Sequence, residues 1–239
     1  MNSTSRNPQI RIDETLAEVL EQRYGGRLRR AALGGRVEDV EALLRRGADV
    51  NYVRPSIPGY VILDPNDTPL HAAAKNGQKA VVDVLIAAGA DVNQRTVLEH
   101  SGRTTEDSAP VHRAVKSGHE DVLEALLLAG ANVDLENATG DTALHMAASK
   151  GRKGALEILL RAGAKVSAQS LSGRTPLHEA VINCHEDIVE ILLAAGGDPG
   201  VRNKRQETPL EAAKDFRSSK DEDVSARMLQ LLGDYDSKK

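Results

Sequence analysis

Residues 68–93 read TPLHAAAKNGQKAVVDVLIAAGADVN. Thr68 is a good N-cap, and Pro69 suits the first helical position, where its missing N–H costs nothing. His71 to Asn76 continue a short helix. Gly77 stops it, because only glycine enters the left-handed conformation without a steric cost. Lys79 to Ala88 then have the spacing of a second helix, with Val82, Leu85 and Ile86 on one face. Gly89 ends that helix, and Ala90-Asp91-Val92-Asn93 turns outward. Two helices this short cannot bury their apolar faces alone.

The stretch is not unique. Thr68-Pro69-Leu70-His71 returns as Ala109-Pro110-Val111-His112, Thr142-Ala143-Leu144-His145, Thr175-Pro176-Leu177-His178 and Thr208-Pro209-Leu210-Glu211. The last four copies lie 33 residues apart, and the first gap is 41. A second motif keeps the same beat: Gly47-Ala48-Asp49-Val50-Asn51, Gly89-Ala90-Asp91-Val92-Asn93, Gly130-Ala131-Asn132-Val133, Gly163-Ala164-Lys165-Val166 and Gly196-Gly197-Asp198-Pro199. Two motifs in phase over six units specify a stack of helix–turn–helix units, each burying its neighbour.

The period and the two motifs resemble the ankyrin repeat family over residues 26 to 233. That resemblance implies an all-α solenoid of helix–turn–helix units joined by β-hairpin-like fingers. The repeats are expected near 26–51, 68–93, 109–134, 142–167, 175–200 and 208–233, with insertions within 52–67 and 94–108. Residues 1–25 would form a tail and a capping helix at 13–23, and 234–239 a second tail. The end units depart from the pattern, with Arg29 and Glu211 where His stands elsewhere. Terminal repeats meet water on one face, so this is expected.

Composition agrees. The chain is 40% hydrophobic but only 2% aromatic, with no Trp. A core of Ala, Leu, Val and Ile favours thin stacked units, since aromatic side chains dominate burial in round cores. The net charge of −4 lacks the basic bias of nucleic-acid binders. One cysteine excludes an intrachain disulfide. No apolar run is long enough to span a membrane, and the N-terminus has no signal-peptide core. A cytoplasmic or nuclear location is the expectation.

Little in the sequence suggests catalysis. His71, His112, His145 and His178 share one repeat position. Rings one repeat apart stand roughly 10 Å from each other, whereas metal ligands meet within about 2 Å of one ion. The family resemblance instead implies that each ring bonds its capping Thr and nearby backbone. His119 and His185 follow the inter-helix glycine position and read as structural too. His100 lies outside the pattern, beside Glu99, Glu106 and Asp107 in an insertion. Cys184 takes the place of Gly35, Gly77, Gly118 and Gly151, so a left-handed turn there would be strained. There is no phosphate-binding glycine loop, nucleophile elbow or His-Glu-x-x-His. No cofactor or metal is expected.

The function expected is therefore non-enzymatic binding of a partner protein, as adaptor, inhibitor or assembly chaperone, by a chain that is a monomer by itself. The alternatives are an enzyme or metal-dependent activity built on the inserted fingers, or a nucleic-acid-binding regulator. The resemblance points to finger tips and the concave side of the first helices. On this sequence those positions are Asp67, Ser108, Asp141 and Arg174 before each helix, and Lys75, Asn76, Lys116, Ser117, Ser149, Lys150, Ile182 and Asn183 at its end. They are mostly polar and differ between units, which is what partner choice requires.

The fingers are unequal. A normal one runs eight residues, as from Asp134 to Thr142, but Asn51 to Thr68 is 17 and Asn93 to Ala109 is 16. The first insertion holds Tyr52, Tyr60 and Ile62, and Tyr is favoured at binding hot spots.

Overall fold

The computed structural model describes residues 24–53, 67–96, 108–216, 228 and 230–233. All regular structure among them is helical. The chain divides into two compact units, Met1–Ala73 with Gln78–Asp91, and Ala74–Gly77 with Val92–Lys239. The expected capping helix at 13–23 lies outside the described residues.

In the first unit a helix, α1, covers residues 24–33. It is followed by α2 (Val37–Arg45), α3 (Pro69–Lys75, whose last residues fall to the second unit) and α4 (Lys79–Ala87). Leu28, Val40, Val82 and Leu85 are fully buried there. Helices α2 and α4 pack together, and the Asn51 side chain accepts the Asp91 N–H at 2.8 Å. One turn is thereby tied to the next.

The second unit contains α5 (Pro110–Ser117), α6 (Glu120–Leu128), α7 (Ala143–Ser149), α8 (Lys153–Arg161), α9 (Pro176–Ile182), α10 (Glu186–Ala194) and α11 (Pro209–Phe216). Helices α5, α7, α9 and α11 pack side by side, and α6, α8 and α10 form the layer behind. Ala114, Ala147 and Ala180 are fully buried at one register of the front helices. A small side chain there lets neighbouring backbones approach. Leu123, Leu126, Leu156, Leu159, Ile188 and Leu192 fill the space between layers. Each fully buried side chain of that size contributes about 1.5–3 kcal/mol.

Helices α3, α5, α7 and α9 share one device at their N-termini. The Nδ1 atoms of His71, His145 and His178 lie 2.8, 2.9 and 2.9 Å from the hydroxyls of Thr68, Thr142 and Thr175. The Thr142 and Thr175 backbone N–H groups donate to the same nitrogens at 3.2 and 3.1 Å. An Nδ1 that accepts an N–H carries no proton, so the ring proton sits on Nε2. His112, His145 and His178 give that proton to the carbonyls of Leu135, Arg174 and Glu207, at 2.8, 3.0 and 3.2 Å. One imidazole thus caps its own helix and holds the finger of the next unit. Ala109 has no hydroxyl, and its unit keeps only the N–H to His112 Nδ1 bond, at 3.0 Å.

The last unit shows why its His is replaced. The Thr208 N–H donates to Glu211 Oε2 at 2.8 Å, and the Glu211 N–H to the Thr208 hydroxyl at 3.3 Å. Glutamate reproduces the acceptor half of the device. It has no ring proton to pass onward, and no further finger follows among the described residues. The Arg202 guanidinium takes up the carboxylate at 2.9 Å instead.

Candidate interaction surface

The fingers expected to resemble hairpins are closed more economically than a ladder. Asn137 N–H to Asp141, Ser170 N–H to Arg174 and Asn203 N–H to Glu207 form one backbone bracket per finger, at 3.0, 2.9 and 2.9 Å. No strand is present among the described residues. The Asn137 and Asn203 side chains accept N–H groups from within their own turns at 2.8–3.1 Å. Successive fingers are joined by Leu171 N–H to the Thr139 carbonyl and Lys204 N–H to the Ser172 carbonyl, both at 3.0 Å.

The second insertion obeys the same rule. Thr96 N–H donates to the Ser108 carbonyl at 3.2 Å, and Ser108 N–H to the Thr96 hydroxyl at 3.0 Å. Thr96 and Ser108 are therefore the bracket pair of this finger. Between them stand eleven residues, 97–107, where a regular finger has three, 138–140, so all eight extra residues fall inside the bracket.

The glycines of the fingers measure how closely they stack. A Cβ at Gly140 would lie 2.5 Å from the Leu171 backbone nitrogen, and one at Gly173 would lie 2.8 Å from that of Lys204. Both have φ near +75°, so glycine is required twice over. The same register in the next finger holds Gln206, with φ 63°. A Cβ at this register would meet the backbone of a further finger stacked as the others are, and among the described residues no finger follows.

The residues singled out from the sequence separate by location. Asp67 and Ser108 are 2% and 4% exposed, so their side chains are turned from solvent. Asp141 is half-buried, and its carboxylate accepts the Thr139 hydroxyl at 2.6 Å. Arg174 meets Glu179 at 3.4 Å, with side chains only 23% and 16% exposed. Burial pushes the Glu179 carboxyl above its ordinary value, and the Arg174 charge pulls it back. Tyr52 is half-buried, and its ring lies against Gly25 in the first unit. Asn76, Lys116, Lys150 and Asn183 are exposed at front-helix ends, with Lys75, Ser117, Ser149 and Ile182 half-buried beside them. The Asn183 amide reaches the Glu179 carbonyl at 2.8 Å and the Ser149 hydroxyl at 3.4 Å, which holds its orientation. Tyr60, Ile62, Glu99, His100, Glu106 and Asp107 lie outside the described residues.

Cys184 adopts the expected left-handed conformation, φ 61°, in the register of Gly151. A Cβ at Gly151 would fall 2.8 Å from the His185 ring, which donates to the Ser149 carbonyl at 3.2 Å. His185 thus closes the C-terminal end of α7 from the next unit.

A family model described as ankyrin repeats (3 copies) matches residues 28–127 and 111–203, more than half of the chain. The chain belongs to the ankyrin repeat family. A search of curated proteins found no match. Ankyrin repeats are generally protein–protein interaction modules, and the fold is typically a non-enzymatic scaffold. No group of three or more His, Cys, Asp and Glu among the described residues of this ankyrin repeat chain could hold a metal ion, and no described helix is long and apolar enough to cross a membrane.

Sequence reasoning did not single out the bracket residues Thr96, Asn137, Ser170 and Asn203. Their signal was a small polar residue at one register of four fingers.

Proposed function

We propose that this ankyrin repeat protein is a non-catalytic binding module that holds a partner protein against the front-helix ends and fingers of its repeats. It would act as an adaptor, an inhibitor that masks its partner, or an assembly chaperone, in the cytoplasm or nucleus. One observation carries the reading. The buried register of the front helices repeats as alanine and histidine, while the two positions at their ends change from Lys116-Ser117 to Ser149-Lys150 to Ile182-Asn183. The repeated positions build the scaffold, and the changing ones are free to select a partner. A surface already held by caps and brackets loses little chain entropy on binding.

The test is affinity capture with the full chain, comparing Lys116→Ala/Lys150→Ala with the parent, and separately Tyr60→Ala/Ile62→Ala. Loss of a captured protein in either pair, with an unchanged melting curve, supports the reading. Unchanged capture in both pairs removes it.

A further inference from the structure

Within the fingers of the second unit one patch is chemically distinct from the helix ends. At one register the fingers present Ala138, Leu171 and Lys204, and at the next Thr139, Ser172 and Arg205. Turn positions facing water are ordinarily polar, yet Leu171 is 62% exposed. It is not a loose side chain on a loose loop. Its backbone N–H is fixed to the Thr139 carbonyl, and the neighbouring Ser172 carbonyl is fixed to the Lys204 N–H, each at 3.0 Å. Gly140 lies directly beneath it, with a Cβ position 3.0 Å from Leu171 Cγ. Within that finger, Gly173 N–H bonds the Ser170 carbonyl at 2.8 Å and the Ser170 and Ser172 hydroxyls meet at 2.9 Å. In the next finger the Asn203 side chain holds the Arg205 and Glu207 N–H groups.

Lys204 and Arg205 are exposed, and neither side chain has an ion-pair or hydrogen-bond partner among the described residues. The nearby cation Arg202 is by contrast committed to Glu211. Among the described residues these two cations are therefore unpaired, and their turn is joined to that of the exposed Leu171 by the bond from the Lys204 N–H to the Ser172 carbonyl.

We infer that Leu171, Lys204 and Arg205 form a docking surface for an acidic segment of a partner protein that presents one aliphatic or aromatic side chain between its carboxylates. The partner's apolar group covers Leu171 and its carboxylates meet Lys204 and Arg205. Arg is enriched at interface hot spots, and an apolar centre with a polar rim is the ordinary anatomy of an interface. Carboxylates match the free charges, and the held turns reduce the ordering cost. The Cβ of Gln206 blocks pairing of a further strand with the ladder end, so the segment lies across the finger tips and is recognised through side chains. This inference deepens the partner-binding reading and rests on it.

The test uses short fluorescein-labelled synthetic peptides in anisotropy titrations against the full chain. One is acidic with a single central leucine, one has that leucine replaced by serine, and one has its carboxylates replaced by lysine. The first is expected to bind saturably and more weakly as salt rises. The serine and lysine versions are expected to bind at least about tenfold more weakly. Leu171→Ser and Lys204→Glu/Arg205→Glu should each weaken the first peptide by about tenfold with melting curves unchanged, while Lys116→Ala/Lys150→Ala leaves it intact. No saturable binding, or binding indifferent to both finger variants, overturns the inference. Equal competition by a single-stranded oligonucleotide also overturns it, because the patch would then take any polyanion. Capture that fails in Lys116→Ala/Lys150→Ala while peptide binding survives separates the helix-end surface from this one.

Discussion

Cys184 and Gln206 are the two described non-glycine residues with positive φ, at 61° and 63°, and each stands where the preceding units have glycine. A side chain in that conformation costs about 1–2 kcal/mol. Cys184→Gly is therefore expected to raise stability by roughly 0.5–1 kcal/mol, after allowing for glycine's larger unfolded-state entropy. Urea denaturation followed by circular dichroism measures it, and a fall would mean that the thiol packs usefully. The histidines yield a pH prediction. Burial holds His145 and His178 below the ordinary 6.5. As pH falls through 6.5, the unfolded chain takes up these protons first, so the unfolded state gains and stability declines. Above 6.5 both states are neutral and the contribution is flat. The denaturation midpoint should therefore drop between neutral and mildly acidic pH, and His145→Gln/His178→Gln should flatten that drop. The ring position was legible from the repeat, and its Thr partner from the family resemblance. The second bond, from Nε2 to the next finger's carbonyl, was not, because it joins residues 29 apart for His145 and His178.

At the scale of elements, the front helix and its finger are the parts that local sequence and tertiary contact share. Helix starts follow from Thr-Pro or its variants and helix ends from glycine, so these elements could be read from residue type. Replacing Ala109 by Thr restores the missing cap hydroxyl in a register that already accommodates Thr142 and Thr175. It should add about 0.5–2 kcal/mol to the stability of the second unit, seen as a higher urea midpoint. The brackets behave differently. Asn203 is 3% exposed and accepts two N–H groups. Asn203→Ala leaves both donors without that acceptor and should cost about 1–3 kcal/mol, with faster hydrogen exchange at the Arg205 and Glu207 amides. Spacing along the chain revealed the lengths of the insertions but not where the extra residues enter. The Thr96–Ser108 bracket decides it.

For the whole molecule, stability in a repeat protein is close to a sum of units and neighbour interfaces, so an end unit should open first. Glu211→Ala removes the acceptor for Thr208 and the anchor for Arg202, whose hydrogen bonds hold the Glu211 carboxyl below its ordinary value. Hydrogen exchange is expected to show protection lost over α11 while α7 to α10 keep theirs. Uniform loss across the second unit would mean that it opens as one body. The same logic frames the binding surfaces. A variant at an exposed helix end should change binding alone, whereas Arg174→Ala leaves Glu179 half-buried without its cation and should change stability as well, by about 1–3 kcal/mol. By itself the sequence determined the helix–turn–helix unit, its 33-residue repeat, the aromatic-poor core and the strained turn at Cys184, because each depends on residue type and spacing within one unit. Tertiary structure alone decided which polar residues are buried, how successive fingers are joined, and that Leu171 stands exposed on a finger bonded to the one that carries the exposed Lys204 and Arg205. Those properties arise where one unit's backbone meets the next, and a hydrogen bond or a close approach between distant residues leaves no mark in their local order.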